Sequence, residues 1–150
     1  EMLIRGICSL RPGVVGLSEN ITVRSILGRF LEHSRVYEFG NAGDCEVWIG
    51  SADLMHRNLD RRVEVLVRLN KADSASITET LDLAFAESTA AWHLSPDGSW
   101  TRVHRDTQGQ PLNDYQEQLI RSHPVARLAL DEPTPRVLAN ILTRVGIRGR

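Results

Sequence analysis

Apolar positions change their period several times along the chain, and each change predicts a different element. Met2, Leu3 and Ile4 open a short buried strand over residues 2–10, ended by the turn signal Arg11-Pro12-Gly13. Ser18 or Asn20 then offers a helix cap. Val23, Ile26, Leu27, Phe30 and Leu31 follow at the spacing of one helical face, which predicts a helix stopping near Glu32. Residues 35–39 read as extended, Asn41-Ala42-Gly43-Asp44 as a turn and 46–49 as a second strand, together a hairpin. After a loop carrying Ser51-Ala52-Asp53 and Arg57-Asn58, Val63, Val65, Val67 and Leu69 alternate with Arg62, Glu64, Leu66 and Arg68. That period of two predicts a strand.

The second half is richer in helix. Ser74 or Ser76 caps a helix running to about Glu87, with Ile77, Leu81, Ala84 and Phe85 inward. Pro96-Asp97-Gly98 turns a small hairpin between Trp92-His93-Leu94 and Trp100-Thr101-Arg102-Val103. Residues 112–122 form a helix with Leu112, Tyr115, Leu119 and Ile120 on one side, ended by Pro124. Beyond a Pro133/Pro135 linker, Val137, Leu138, Ile141, Leu142 and Val145 predict a last short helix. The expectation is an α/β fold, a mixed β-sheet flanked by helices, over residues 1–123. Residues 124–150 would form a loosely attached tail.

Composition narrows the function classes. At 150 residues the chain has one domain's length, and its 41% hydrophobic and 25% charged content is that of a globular protein. No apolar run approaches the ~20 residues of a membrane span, and Arg5 and Pro12 interrupt any signal-peptide pattern. A chain that opens inside a strand reads as a piece of something longer. Cys8 and Cys45 have no metal-ligand spacing and read as free thiols.

A formal net charge of −1 exerts no overall pull on a polyanion, so any phosphate site must be a local cluster. Lys71 is the single lysine among 18 basic residues, leaving 17 Arg, whose planar forks suit phosphate oxygens. Genomic base composition explains most of that bias.

Two places collect the right chemistry. In Leu31-Glu32-His33-Ser34-Arg35, His33 and Arg35 share a face if the chain is extended, setting an imidazole beside a guanidinium. Further on, Arg62 and Glu64 share a face, with Arg57 and Arg61 close in sequence. Each alone has an ordinary reading, a helix cap or a solvated strand face. Gly50-Ser51 offers backbone N–H groups to an anion or is simply a turn. His56 reads as a polar loop residue, and His93, His104 and His123 lack partners at metal spacing. The three Trp read as core or hairpin packing.

Together the pieces are more specific. The runs RGICSLRPGVVGLSENI (5–21), SILGRFLEHSRVYEFGNAGD (25–44) and IGSADLMHRNLDRRVEV (49–65) resemble, in order and spacing, the C-terminal domain of polyphosphate kinases. Residues 92–100 and 112–120 resemble that family's tail. The resemblance implies a phospholipase-D-like half-domain. It also implies reversible transfer of the terminal phosphate of ATP to inorganic polyphosphate, through a phosphohistidine in a preceding domain.

By the same resemblance His33 is the second histidine of the site, Arg5 contacts the ATP phosphates, and Arg62 and Glu64 are the family's Arg-x-Glu. Arg35 stands where the wider superfamily has Lys. The candidate set is therefore His33 and Glu64 as catalytic groups, with Arg5, His33, Arg35 and Arg62 binding ATP or phosphate; Arg5, His33, Arg62 and Glu64 are expected around one concave surface, with Arg35 nearby. ATP or ADP is the implied substrate, and Mg²⁺ is implied with its ligands outside these residues. Implied partners are polyphosphate and the preceding domains of the same chain, with no nucleic acid. The full enzyme would be a cytoplasmic homo-oligomer, with peripheral membrane association compatible.

Two departures stand out. Leu54-Met55-His56 replaces the family's frequent Trp-Met-Pro, and no Lys-Ile-His-Ala-Lys-like segment is present, so the 150 residues alone are expected to be inactive. Two rival readings remain. A phosphodiesterase half-domain needs His-x-Lys-x4-Asp, but at that spacing His33 meets Arg35 and Gly40. A polyanion-binding or assembly domain would bind without dependence on His33.

Overall fold

A computed structural model describes residues 1–122, and the expectations placed on 123–150 lie outside them. The chain divides at Leu119/Ile120, and the second unit is described only as far as Ser122. The elements run β1 (Met2–Leu3), β2 (Val23–Ser25), β3 (Val36–Phe39), a single 3₁₀ turn (Asn41–Gly43), β4 (Glu46–Gly50) and α1 (His56–Arg61). They continue with β5 (Leu66–Arg68), α2 (Lys71–Phe85), β6 (Ala91–Leu94), β7 (Trp100–Val103) and α3 (Tyr115–Ser122). Among the described residues no helix is long and apolar enough to cross a membrane.

The strands form two sheets where the sequence suggested one. A mixed sheet has the order β1-β2-β6-β7, with β1 parallel to β2 and the other pairs antiparallel. An antiparallel sheet has the order β3-β4-β5. Both expected hairpins form: Tyr37 faces Trp48 across β3–β4, and Trp92 faces Arg102 across β6–β7. Ile26, Ala84, Ala91 and Tyr115 make the core of the first sheet and its helices, with Leu3, Leu83 and Leu119 packed around it. Thr78 of α2 donates to Glu38 of β3 at 2.9 Å, tying that helix to the second sheet.

The main correction concerns residues 18–32, which contain no helix. Val23–Ser25 is instead an inner strand, paired on both sides by β1 and β6. The helical spacing did not mark a buried face, since Leu27, Phe30 and Leu31 are 55%, 51% and 59% exposed. Ser18 caps no helix. Its buried hydroxyl donates to the Arg11 carbonyl at 2.5 Å and accepts from Val14 N at 3.1 Å, closing the loop after Pro12. A short apolar window fits either period, and pairing to two neighbouring strands satisfies the backbone as fully as a helix would.

Smaller corrections follow the same logic. The first strand is two residues, not nine, and the alternating run 63–69 pairs only over β5, with Val63 fully in solvent. Helix α1 occupies part of the expected loop, its polar sequence giving no apolar period to read. Helix α2 starts earlier than Ser74. Asn70 caps it, its Oδ1 accepting from Ala72 N at 2.9 Å and Asp73 N at 3.0 Å. Helix α3 begins at Tyr115, where Asp114 accepts from Glu117 N at 2.9 Å, and not at Leu112.

Candidate functional site

The loop from β4 through α1 to β5 gathers most of the candidate chemistry. Gly50 ends β4 where a Cβ would stand 2.9 Å from Leu66 Cδ1 and 3.1 Å from the Val65 carbonyl oxygen. A side chain there would force β5 away, so glycine permits the close pairing. The next residue, Ser51, bridges the loop's two ends. Its amide donates to the Val65 carbonyl at 3.0 Å, and its hydroxyl oxygen accepts from Val65 N at 3.0 Å. Gly50 N in turn donates to the Arg35 carbonyl at 2.9 Å. Both amides are therefore engaged in pairing to neighbouring strands, so Gly50-Ser51 is the end of β4, neither a turn nor an anion cradle.

Glu64 lies at the centre of a small polar network. Its carboxylate accepts from Ser51 Oγ at 2.5 Å and from Asn58 Nδ2 at 3.0 Å, and it lies 3.4 Å from Arg62 Nε. Asn58 projects from α1 and is the largest fully buried side chain among the described residues. The bond from Ser51, then that from Asn58, then the charge of Arg62 hold the Glu64 carboxyl below the ordinary carboxylate range. Desolvation and the nearby Asp53 work in the opposite sense. Glu64 is thus a hydrogen-bonded anion at neutral pH, paired with a guanidinium that remains largely exposed.

Arg62 and Glu64 share a face as the alternation predicted, although they precede the paired part of the strand. Arg62 has extended backbone at the end of α1, which is enough for side chains two apart to meet.

Arg35 is placed differently. Its Nε donates to Asp53 Oδ1 at 3.0 Å, its second terminal nitrogen lies 2.8 Å from the same oxygen, and the third nitrogen donates to the His33 carbonyl. All three guanidinium nitrogens are engaged, so Arg35 joins the His33 segment to the Ser51–Asn58 loop. Tyr37 reinforces that join, its hydroxyl donating to the Ala52 carbonyl at 3.1 Å.

His33 and Arg5 are both exposed. Arg5 follows β1, where the amide of Gly6 donates to the buried Ser25 Oγ at 3.3 Å. No hydrogen bond or ion pair among the described residues links the Arg5 or His33 side chain to the Arg62–Glu64 pair. The structure therefore brings together Arg62 with Glu64, and Arg35 with the main chain of His33. Sequence reasoning did not single out Asp53, Asn58 and Gln116. Their partners lie 18, 6 and 86 residues away, and no local pattern marks such pairings.

Among the described residues, no other histidine side chain bonds to this network. His56 pairs with Asp60 one turn along α1, and burial, then the charge of Arg24, lowers the pKa of His93 in β6. No group of three or more His, Cys, Asp or Glu placed to hold a metal occurs among the described residues.

Comparison with known proteins gives this geometry its context. Residues 1–114 match the model of the polyphosphate kinase C-terminal domain 2. The chain is 61% identical over 121 residues to the polyphosphate kinase of Streptomyces coelicolor, covering 80% of this chain and 16% of that protein. To that of Mycobacterium leprae it is 55% identical over 124 residues, covering 82% of this chain and 16% of the relative. The crystal structure of the Porphyromonas gingivalis polyphosphate kinase superposes with a TM-score of 0.69 at 30% identity, over 78% of this chain and 18% of that one. The chain thus spans about a sixth of the length of the curated relatives it matches. With its α/β, phospholipase-D-like half-domain fold, this chain belongs to the polyphosphate kinase family and carries its C-terminal domain 2.

Proposed function

We propose that this domain forms one wall of the phosphotransfer site of a polyphosphate kinase, acting on ATP and inorganic polyphosphate. The observation that carries the reading is the Ser51–Asn58–Glu64–Arg62 network, in which a hydrogen-bonded carboxylate stands 3.4 Å from the exposed guanidinium of Arg62. Phosphoryl transfer asks a protein mainly for positioning and charge stabilisation, and an arginine oriented before substrate arrives supplies both. Arg62 and Arg5 bind phosphate oxygens of ATP or polyphosphate. Glu64 acts by positioning Arg62. Arg35, neutralised by Asp53, contributes less to phosphate binding than its charge suggests.

The reaction divides into two displacements. The bond between the terminal phosphorus of ATP and its bridging oxygen breaks as a histidine of a preceding domain bonds to that phosphorus, releasing ADP. The terminal oxygen of polyphosphate then displaces the histidine. His33 gives or accepts a hydrogen bond at the moving phosphoryl group.

Mg²⁺ does not fit the two carboxylates nearest these arginines. Asp53 is engaged by Arg35, and Glu64 by Ser51, Asn58 and Arg62, so no step is assigned to a metal here. The preceding domains, a cytoplasmic setting and self-association belong to the same reading of the complete enzyme.

The test is ATP-dependent polyphosphate synthesis by the complete kinase carrying this domain, with and without His33→Ala. Loss of synthesis with the fold intact supports the reading. Unchanged synthesis would leave this domain as a polyanion-binding or assembly module.

A further inference from the structure

The segment carrying His33 has no regular secondary structure, and a side chain from α3 holds it. Gln116 is 5% exposed. Its Oε1 accepts from Phe30 N at 2.8 Å, while its Nε2 donates to the Phe30 carbonyl at 2.9 Å and to Glu32 Oε1 at 2.7 Å. The amide thus pairs with both backbone groups of Phe30 as a neighbouring strand would, and both its hydrogens are engaged. A flipped amide would set donor against donor at Phe30 N, so the orientation is determined by the partners.

Gly28 makes room for this clamp. A Cβ there would stand 2.5 Å from Gln116 Cδ and 3.1 Å from its Cγ, and closer still to Oε1. The side chain it would displace is buried and hydrogen-bonded three ways, so relief by rotation would break those bonds. On the other side of His33, Arg35 grips Asp53 and the His33 carbonyl. Six residues, Phe30 to Arg35, are therefore anchored at both ends with the exposed imidazole between them.

We infer that Gln116, seated against Gly28, is a positioning residue that sets the location of His33 in the phosphotransfer site. This inference rests on the assignment of His33 made above. Gln116 lies two residues past the stretch matched by the family model, which ends at 114. It touches no substrate and acts through the backbone of residues 30–33.

The experiment uses the complete kinase and three substitutions, read as kcat and KM for ATP-dependent polyphosphate synthesis. Gln116→Met keeps the length of the side chain and removes its three hydrogen bonds. It is expected to lower kcat roughly tenfold to a hundredfold with little change in KM for ATP, the cost of a displaced reacting group. Gly28→Ala, made separately, should reproduce the fall by expelling the amide, so the test does not depend on one variant folding. In a His33→Ala background, Gln116→Met should cost nothing further, because a residue acting through His33 has nothing left to position.

An equal loss from Gln116→Met in both backgrounds would reduce the clamp to a structural contact and overturn the inference. So would full activity of Gln116→Met. If His33→Ala alone is silent, the functional reading and this inference fall together. If His33→Ala is damaging while Gln116→Met is silent or additive, only the inference falls.

Discussion

Asn58 and Glu64 meet across the loop that leaves β4, the fully buried amide of one donating to Oε1 of the other at 3.0 Å. The same oxygen lies 3.4 Å from Arg62 Nε, so the amide and the guanidinium share one acceptor. Replacing Asn58 with Leu fills the volume and removes the donor. Glu64 then loses one of its two hydrogen-bond donors from the loop, and Arg62 loses its fixed reference. The expected outcome in the complete kinase is a KM for polyphosphate higher by on the order of tenfold, with kcat less affected. Steady-state kinetics at saturating ATP check it. An unchanged KM would mean that Arg62 does not depend on this network.

The depressed Glu64 carboxyl makes the same network acid-sensitive. Hydrogen bonds from Ser51 and then Asn58, with the charge of Arg62, lower its pKa from the ordinary value of 4.5. A carboxyl lowered on folding contributes stability that is complete above its unfolded value and is lost as pH falls through the folded value. The contribution is therefore present at neutral pH and declines only below about 4.5. Glu64→Gln should flatten the dependence of unfolding stability on pH in that acidic window and leave its shape near neutrality unchanged. Denaturant titrations at stepped pH measure both curves, and parallel curves would show that Glu64 is not a source of acid sensitivity.

Gly50 tests the packing behind the site. Its hypothetical Cβ meets Leu66 Cδ1 and the Val65 carbonyl oxygen, and the backbone oxygen cannot rotate aside. Gly50→Ala should destabilise the β4–β5 pairing by about 1–3 kcal/mol, the usual cost of crowding a packed site. It should also disturb the Ser51 bridge to Val65. Urea unfolding gives the first quantity. Faster amide hydrogen exchange at Val65 and Ser51 reports the second, and slow exchange retained at both would contradict it.

Much of the architecture was legible in the residues. Asn41-Ala42-Gly43-Asp44 and Pro96-Asp97-Gly98 are turn sequences flanked by strand-forming residues, and both hairpins formed there. The α2 pattern of Ile77, Leu81, Ala84 and Phe85 was long enough to separate a period of 3.6 from one of two. The segment 18–32 was not, because five apolar residues over nine positions fit a helix on paper. Its pairing partners β1 and β6 were needed to make a strand of it.

The candidate site divides along the same line. Local alternation along the chain singled out Arg62 with Glu64 and His33 with Arg35, and family resemblance added Arg5. Only the tertiary structure decided what those charges do. It joined Arg35 to Asp53, Glu64 to Ser51 and Asn58, and Phe30 to Gln116. Side-chain periodicity is a property of neighbouring residues and can be read along a chain. Hydrogen bonds between residues as far apart as 30 and 116 depend on how the elements pack, and no one-dimensional pattern encodes them.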